Sequence, residues 1–378
     1  MWLGTYERDY PRPRVLIAGL RELGVEVVEH HRAVWEDQRH KAGAFLRPVP
    51  LLRAGGRYAA AWAGLGREVR HDRDVDAVVA GYPAQPDAVP AWAVAKALRV
   101  PLVVDMMISL WDTLAGDRAL AGRAAAAALA GLDRVTLAAA DLVLADTAAG
   151  ADWLSARFGV PRSRIAVVPV GAEPEPFAPR PAPEGPPSAL FYGKLAPLHG
   201  IATVLAAARA PGVPPVRVIG DGQLGPWFEE ELRRDPPPGL TWERWVPYAR
   251  LGDELGAAAI ALGVFGTSDK AARVVPNKVW QAMAARRPVV TADTPAVREQ
   301  LTDGRSALLV PPGDAGALAE ALRRLAADGG LRERIAAAGH ERWRGHGSPR
   351  AAASALRDAL VPLVARRGRR RGGPAVGH

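Results

Sequence analysis

"RVVPNKVWQAMAARRPVVT" (residues 273–291) sets a Pro-Asn-Lys step before an alanine-rich run and closes on a β-branched pattern. The proline marks a start, the Ala/Met/Gln run favours a helix, and "RPVVTAD" (287–293) reads as a buried strand. A helix that feeds a strand so directly is half of a β-α unit. Its start leaves about four backbone N–H groups without intrahelical partners and carries a partial positive charge, so it suits an anion or a set of hydroxyls. Asn277 and Lys278 open this helix, with Gln281 one turn on. The start either holds a ligand or caps itself.

Outward from this stretch the same alternation recurs. "ALFYGKL" (189–195), "VRVIGDG" (216–222), "LTWERWV" (240–246), "AAIALGVF" (258–265) and "SALLVPP" (306–312) are strand-like, with helical runs between most of them. Upstream, "VDAVVAGYP" (75–83), "VPLVVDMM" (100–107), "ADLVLADT" (140–147) and "RIAVVPVG" (164–171) alternate with helical patterns at 91–99, 118–139 and 148–158. Continuous apolar strands separated by helices predict parallel sheets covered on both faces. The two series are separated by "AEPEPFAPRPAPEGPPS" (172–188), with seven prolines in seventeen residues, which reads as a linker or surface crossing. The expected fold is α/β, two doubly wound, Rossmann-like parallel-sheet domains facing a cleft. The expected boundaries are 1–172 for the first domain, 173–188 for the linker and 189–345 for the second. A C-terminal helix over 346–365 packs back on the first domain, and a basic disordered tail covers 366–378.

Composition narrows the chemistry. With 378 residues and 49% hydrophobic content the chain can bury two cores, and with no cysteine it has neither disulfides nor thiolate chemistry. No apolar run is long enough for a transmembrane helix, and the first residues lack a secretion signal, so a cytoplasmic location is expected. The net charge of +9 is concentrated: Arg366, Arg367, Arg369, Arg370 and Arg371 account for five of it. Such a tail suits anionic lipid, giving an expectation of peripheral contact with the inner membrane face. Segment 30–73 interleaves basic residues with Trp35, Phe45, Tyr58 and Trp62. It reads as two surface helices and a loop, or as a membrane or acceptor patch. No nucleic-acid recognition motif accompanies the charge, and no His/Asp/Glu cluster has metal-ligand spacing.

The unusual residues sit where strands of the second series end. Gly193 and Lys194 follow the first strand and His199 lies nearby; glycine lets a ligand near the backbone, and lysine meets phosphate as a point charge. Gly220, Asp221 and Gly222 follow the next strand, and Gly266, Thr267, Ser268, Lys270 and Arg273 a later one. Thr294 and Pro295 open a helix that carries Glu299. Their convergence on one rim points to a ligand site. P-loop and dinucleotide fingerprints are both absent.

Residues 190–325 resemble the donor domain of the family-four retaining glycosyltransferases, which have the GT-B fold. The resemblance is carried by "FYGKLAPLHGI", "VIGDGQ", "WVPY" and "GVFGTSDKAARVVPNKVWQAMAARRPVVTADTPAVREQ" continuing to "LTDGRSALLVPPGDAGALAEAL", in the family's order and spacing. The first half is similar more loosely, through "GTYERDYPR", "AADLVLADT" and "RIAVVPVGAE". The resemblance implies transfer of a sugar from a nucleotide-diphosphate donor, with retention, without metal and without cofactor. Lys194 takes the place of the family's first phosphate-gripping cation and His199 that of the second. The family's paired glutamates are replaced: Gln281 stands at the second position and Arg273 eight residues before it. A glutamine amide can both accept from and donate to a ribose diol. The helix start therefore reads as a donor site built from Gly193, Lys194, His199, Asp221, Gly222, Asn277, Lys278, Gln281 and Glu299.

For catalysis, Lys194 and Arg273 can stabilise the leaving diphosphate. "DMMISLWDT" lies where the family places an acceptor-site residue, so Asp105 is the first choice there, with Ser109, Asp112 and the first-strand Gly4 beside it. The expected partners are a nucleotide sugar and a glycan, lipid or small-molecule acceptor. The rival expectations are an inactive family member acting as a scaffold and a nucleotide-sugar epimerase or phosphorylase of the same fold.

Overall fold

The computed structural model describes residues 1–34 and 48–371, with side chains from 1–34 and 55–366. Trp35, Phe45 and the neighbouring basic residues of the 30–73 patch lie outside the described residues. The chain divides into two compact units, Met1–Val168 with Ala352–His378, and Pro169–Ala351.

In the first unit the order is β1 (Trp2–Gly4), α1 (Pro11–Glu22), β2 (Glu29–His31), α2 (Pro48–Glu68), β3 (Val78–Ala80) and α3 (Ala88–Leu98). It continues through β4 (Leu102–Asp105), α4 (Arg123–Ala139), β5 (Leu142–Ala145), α5 (Ala148–Phe158) and β6 (Ile165–Val167). The strands form a parallel sheet in the order β2-β1-β3-β4-β5-β6. Alternate side chains point to opposite faces of a strand. Val78 and Val104 therefore join a core with α3 and α5, while Val79 and Val103 pack with Leu16 and Ile17 of α1. Ala352, Ala353 and Leu356 belong to that second core. They lie on α13 (Pro349–Arg371), which runs on into the stretch expected as a disordered tail. Arginine is a good helix former, and extending a helix costs far less than nucleating one, so 366–371 continue the turns before them.

The second unit runs β7 (Ala189–Tyr192), α6 (Ile201–Ala208), β8 (Val216–Ile219), α7 (Gly225–Arg234), β9 (Leu240–Glu243), α8 (Leu251–Ala257) and β10 (Ile260–Leu262). It ends with α9 (Asn277–Ala284), β11 (Val289–Ala292), α10 (Pro295–Gln300), β12 (Leu308–Val310), α11 (Ala315–Ala327) and α12 (Gly329–Arg342). Its parallel sheet has the order β12-β11-β10-β7-β8-β9, the dinucleotide-fold order read from the far edge. Thr294, Asp314 and Asp328 accept a backbone N–H from the first turns of α10, α11 and α12, which fixes where those helices begin.

The proline-rich stretch is anchored to this unit. Phe177 is fully buried, edge-on to Tyr248 at 5.7 Å. Arg287 donates to the carbonyls of Arg180 (3.0 Å) and Pro181 (2.7 Å) and to those of Leu255 and Gly256. The carbonyls of a strand-free segment need donors, and one guanidinium supplies several.

Candidate functional site

In a doubly wound sheet the place for a ligand is the carboxyl edge where strand order reverses. In the second unit that point lies between β7 and β10. The loops that follow them are pressed together: Phe265 N–H donates to His199 O (3.2 Å), and a Cβ at Gly200 would lie 2.4 Å from the Phe265 carbonyl carbon. Gly200 has φ +66°, so this approach and this turn both require glycine. Gly193, just past β7, has φ +131°, and its N–H donates to Ile219 O (2.9 Å).

A Cβ at Gly193 would meet the Lys278 Nζ at 3.1 Å and His199 at 3.5 Å. Lys278 comes from the first turn of α9, so the helix start and the Gly193 turn converge on one ammonium group. That nitrogen is buried without a hydrogen-bond partner among the described residues and lies 3.9 Å from the centroid of the Phe191 ring. Burial pushes its pKa down from the ordinary lysine value to about 7. The ring face offsets part of that cost. A buried, unbonded ammonium beneath a glycine turn favours an incoming anion.

The other expected donor residues are found in different states. Lys194 is exposed, and its carbonyl accepts from His199 Nδ1. Asn277 is half-buried at the helix start. Asp221 accepts from Gly222 N–H (2.8 Å) and from Arg244 (2.9 Å), and a Cβ on Gly222 would strike the Leu195 backbone at 2.9 Å. Arg273 donates to Asp269 O (2.9 Å). Glu299 is half-buried on α10, where its carbonyl accepts from Arg342 (3.3 Å).

Gln281 is buried and bonded at both ends of its amide. Tyr192 Oη donates to its Oε1 (2.8 Å), and its Nε2 donates to Tyr248 Oη (3.1 Å). Tyr248 in turn donates to Glu173 Oε2 (3.2 Å). A ribose hydroxyl at Gln281 would have to displace a tyrosine. The substitution Gln281→Leu leaves the fully buried Tyr192 hydroxyl without this acceptor. The Lys278 carbonyl remains as a longer acceptor for it (3.4 Å), so we expect a loss of about 0.5–1.5 kcal/mol in urea unfolding, the scale of one neutral hydrogen bond. Gln281→Glu would face Tyr248 and Glu173 with a second carboxylate, so its stability should fall more steeply than that of the wild type as pH rises through the carboxylate range.

In the first unit the expected acceptor-side residues are all engaged. Arg12 grips Asp105 through Nε to Oδ2 (3.0 Å) and Nη2 to Oδ1 (3.0 Å), and both side chains are fully buried. Ser109 donates to Asp133 (2.6 Å) and accepts the Asp112 N–H (3.0 Å). Gly4 lies so near Asp87 that a Cβ would reach its carboxyl at 2.4 Å. Sequence reasoning missed Asp87, which accepts from Thr5 N–H (2.6 Å) and Trp62 Nε1 (2.9 Å) and whose pKa burial raises to about 6. It missed Asp133 too, whose pKa burial also raises. The turn "GYPAQPDA" after a predicted strand was the available signal for Asp87, and nothing local marked Asp133.

Residues 186–328 match the family model described as "Glycosyl transferases group 1", and residues 11–171 match that of the "Glycosyl transferase 4-like domain". The chain belongs to the GT4-like glycosyltransferases. The chain is similar to the phosphatidyl-myo-inositol mannosyltransferase of Mycobacterium leprae, 35% identical over 158 residues, 40% of each chain. The lipopolysaccharide core biosynthesis glycosyltransferase LpsE of Rhizobium meliloti is 29% identical over 180 residues, 47% of this chain and 50% of its own. The matched stretch thus spans half or less of each relative's length. Anabaena HepE, solved in complex with UDP-glucose, superposes with a TM-score of 0.66 at 14% identity, covering 96% of this chain and 98% of that one. This last likeness is one of fold, the GT-B fold of the GT4-like glycosyltransferases. No helix among the described residues is long and apolar enough to cross a membrane.

Proposed function

We propose that this GT4-like protein transfers a sugar from a nucleotide-diphosphate donor to an acceptor hydroxyl, with retention and without a metal. The observation that carries the reading is the buried, unbonded Lys278 ammonium at the start of α9, against the Gly193 turn and at the reversal point of the sheet. A diphosphate there meets Lys278, the exposed charge of Lys194 and the N–H groups of the helix start, which the Pro276 N-cap leaves without a side-chain partner. As the bond from the sugar to the diphosphate breaks, negative charge grows on the leaving oxygen, and fixed cations stabilise that charge more than the ground state. Asn277 is assigned to the ribose, with Gln281 shaping the wall behind it. The first unit is assigned the acceptor, a glycan, lipid or small molecule. There Asp105, held by Arg12, acts through the architecture and not as a proton acceptor.

The test is a thermal-shift panel of UDP, GDP, dTDP and ADP sugars, with uridine first because the Anabaena protein was solved with UDP-glucose. A true donor at a hundred times its Kd adds about 2.7 kcal/mol to stability. Donor turnover should survive EDTA. A panel with no shift from any diphosphate would remove the donor reading, and loss of turnover that Mg²⁺ restores would remove the metal-free one.

A further inference from the structure

Five of the nine large apolar side chains that stand exposed among the described residues fall between residues 89 and 135. Val89 and Trp92 lie on α3, Leu120 just before α4, and Leu132 and Val135 on α4. The two helices pack side by side on one face of the first sheet. Ala88, Ala91 and Ala95 of α3, and Ala130 and Leu137 of α4, turn inward to the core. The apolar groups are therefore on the far side, Trp92 at 43% exposure and Val135 at 51%. A helix in a globular domain ordinarily sends its large apolar residues one way; these two send them both ways.

The charges on the same faces have one sign. Lys96 on α3 and Arg123 and Arg134 on α4 are exposed, and Arg99 follows α3. Neither helix carries an exposed acid: α3 contains none, and the single acid of α4, Asp133, is buried and bonded to Ser109. On the adjoining α5, Asp152 is paired with Arg162 (2.7 Å). Apolar groups interleaved with unopposed basic ones, a tryptophan among them, match a bilayer interface with anionic headgroups. A second copy meeting this face across a twofold axis would bring Lys96 and Arg134 against their own like charges. We propose that the joined outer faces of α3 and α4 dock onto the interface of an anionic phospholipid bilayer.

The experiment is co-sedimentation of the full chain with vesicles of phosphatidylcholine alone and of phosphatidylcholine with phosphatidylglycerol. Wild type should pellet with the anionic vesicles, less so at high salt, and little with the neutral ones. Trp92→Asp with Val135→Asp should lower partitioning at least tenfold. Lys96→Gln with Arg134→Gln, which adds no charge and buries nothing new, should lower it by about fivefold for each cation removed. All these positions are exposed, so melting temperature and the diphosphate thermal shift should stay as in wild type; those readouts report on folding and on the donor site separately. Equal pelleting with neutral and anionic vesicles, or unchanged pelleting of both double variants, overturns the proposal. So does a concentration-dependent dimer that Trp92→Asp with Val135→Asp dissolves while vesicles bind neither form.

Discussion

The substitution Lys278→Met is expected to raise the stability of the protein while weakening its hold on a nucleoside diphosphate. The two effects have one source. The Lys278 ammonium is buried without a hydrogen bond, and its folded pKa is about 7 against an ordinary 10.5. Below pH 7 the group is protonated in folded and unfolded protein alike, and the cost of burying the charge is carried in full. Between about 7 and 10.5 the unfolded chain still binds the proton that the folded chain has released, so stability rises with pH. Methionine has similar length and no charge, and should therefore stabilise by about 3–5 kcal/mol below pH 7, the advantage shrinking toward pH 10. A diphosphate that draws the proton back should bind with proton uptake above pH 7. The variant should lose that uptake and about 1.5–3 kcal/mol of affinity. Urea melts at two pH values and calorimetry in buffers of different ionisation enthalpy read both. A variant that melts below wild type at pH 6 and binds UDP equally well would refute the assignment.

The second large effect is expected at the Arg12–Asp105 pair. Asp105→Ala leaves a guanidinium buried with one remaining acceptor among the described residues, the Val168 carbonyl at 2.6 Å. Removing one partner of a buried pair costs about 3–5 kcal/mol, whereas replacing both by apolar groups of similar volume is neutral or favourable. Arg12→Met with Asp105→Leu should therefore recover most of the stability that Asp105→Ala loses. Full stability in Asp105→Ala, with activity lost, would return Asp105 to the reacting group of the acceptor side.

The fold was legible because its signal is local. Each of "VDAVVAGYP", "VPLVVDMM" and "VRVIGDG" contains its strand, and the observed strands are shorter, Val78–Ala80, Leu102–Asp105 and Val216–Ile219. The helix-start reading at Asn277 was legible for the same reason. What could not be read were the partners. Gln281 has the spacing of a ligand residue, yet Tyr192 and Tyr248, 89 and 33 residues away, occupy both ends of its amide. Asp105 stands at a strand end like a site residue, and only its pairing with Arg12, 93 residues distant, shows how it is held. Lys278 is one of several cations in its stretch of sequence; its isolation depends on Gly193 and Phe191 closing round it. Residue type and spacing set what a side chain can do, and the long-range contact sets which of those it does.

The return of α13 to the first unit has a consequence for synthesis on the ribosome. One face of the first sheet, lined by Val79, Val103 and Leu144, is covered in part by Leu16 of α1 and in part by Ala352, Ala353 and Leu356. About 180 residues of the second unit lie between that sheet and the helix that covers it. At roughly 5–20 residues per second, the nascent first unit carries an open apolar face for about 10–40 s before its cover emerges. In that interval the second unit folds from an unbroken stretch of chain, so the part made first is the part finished last.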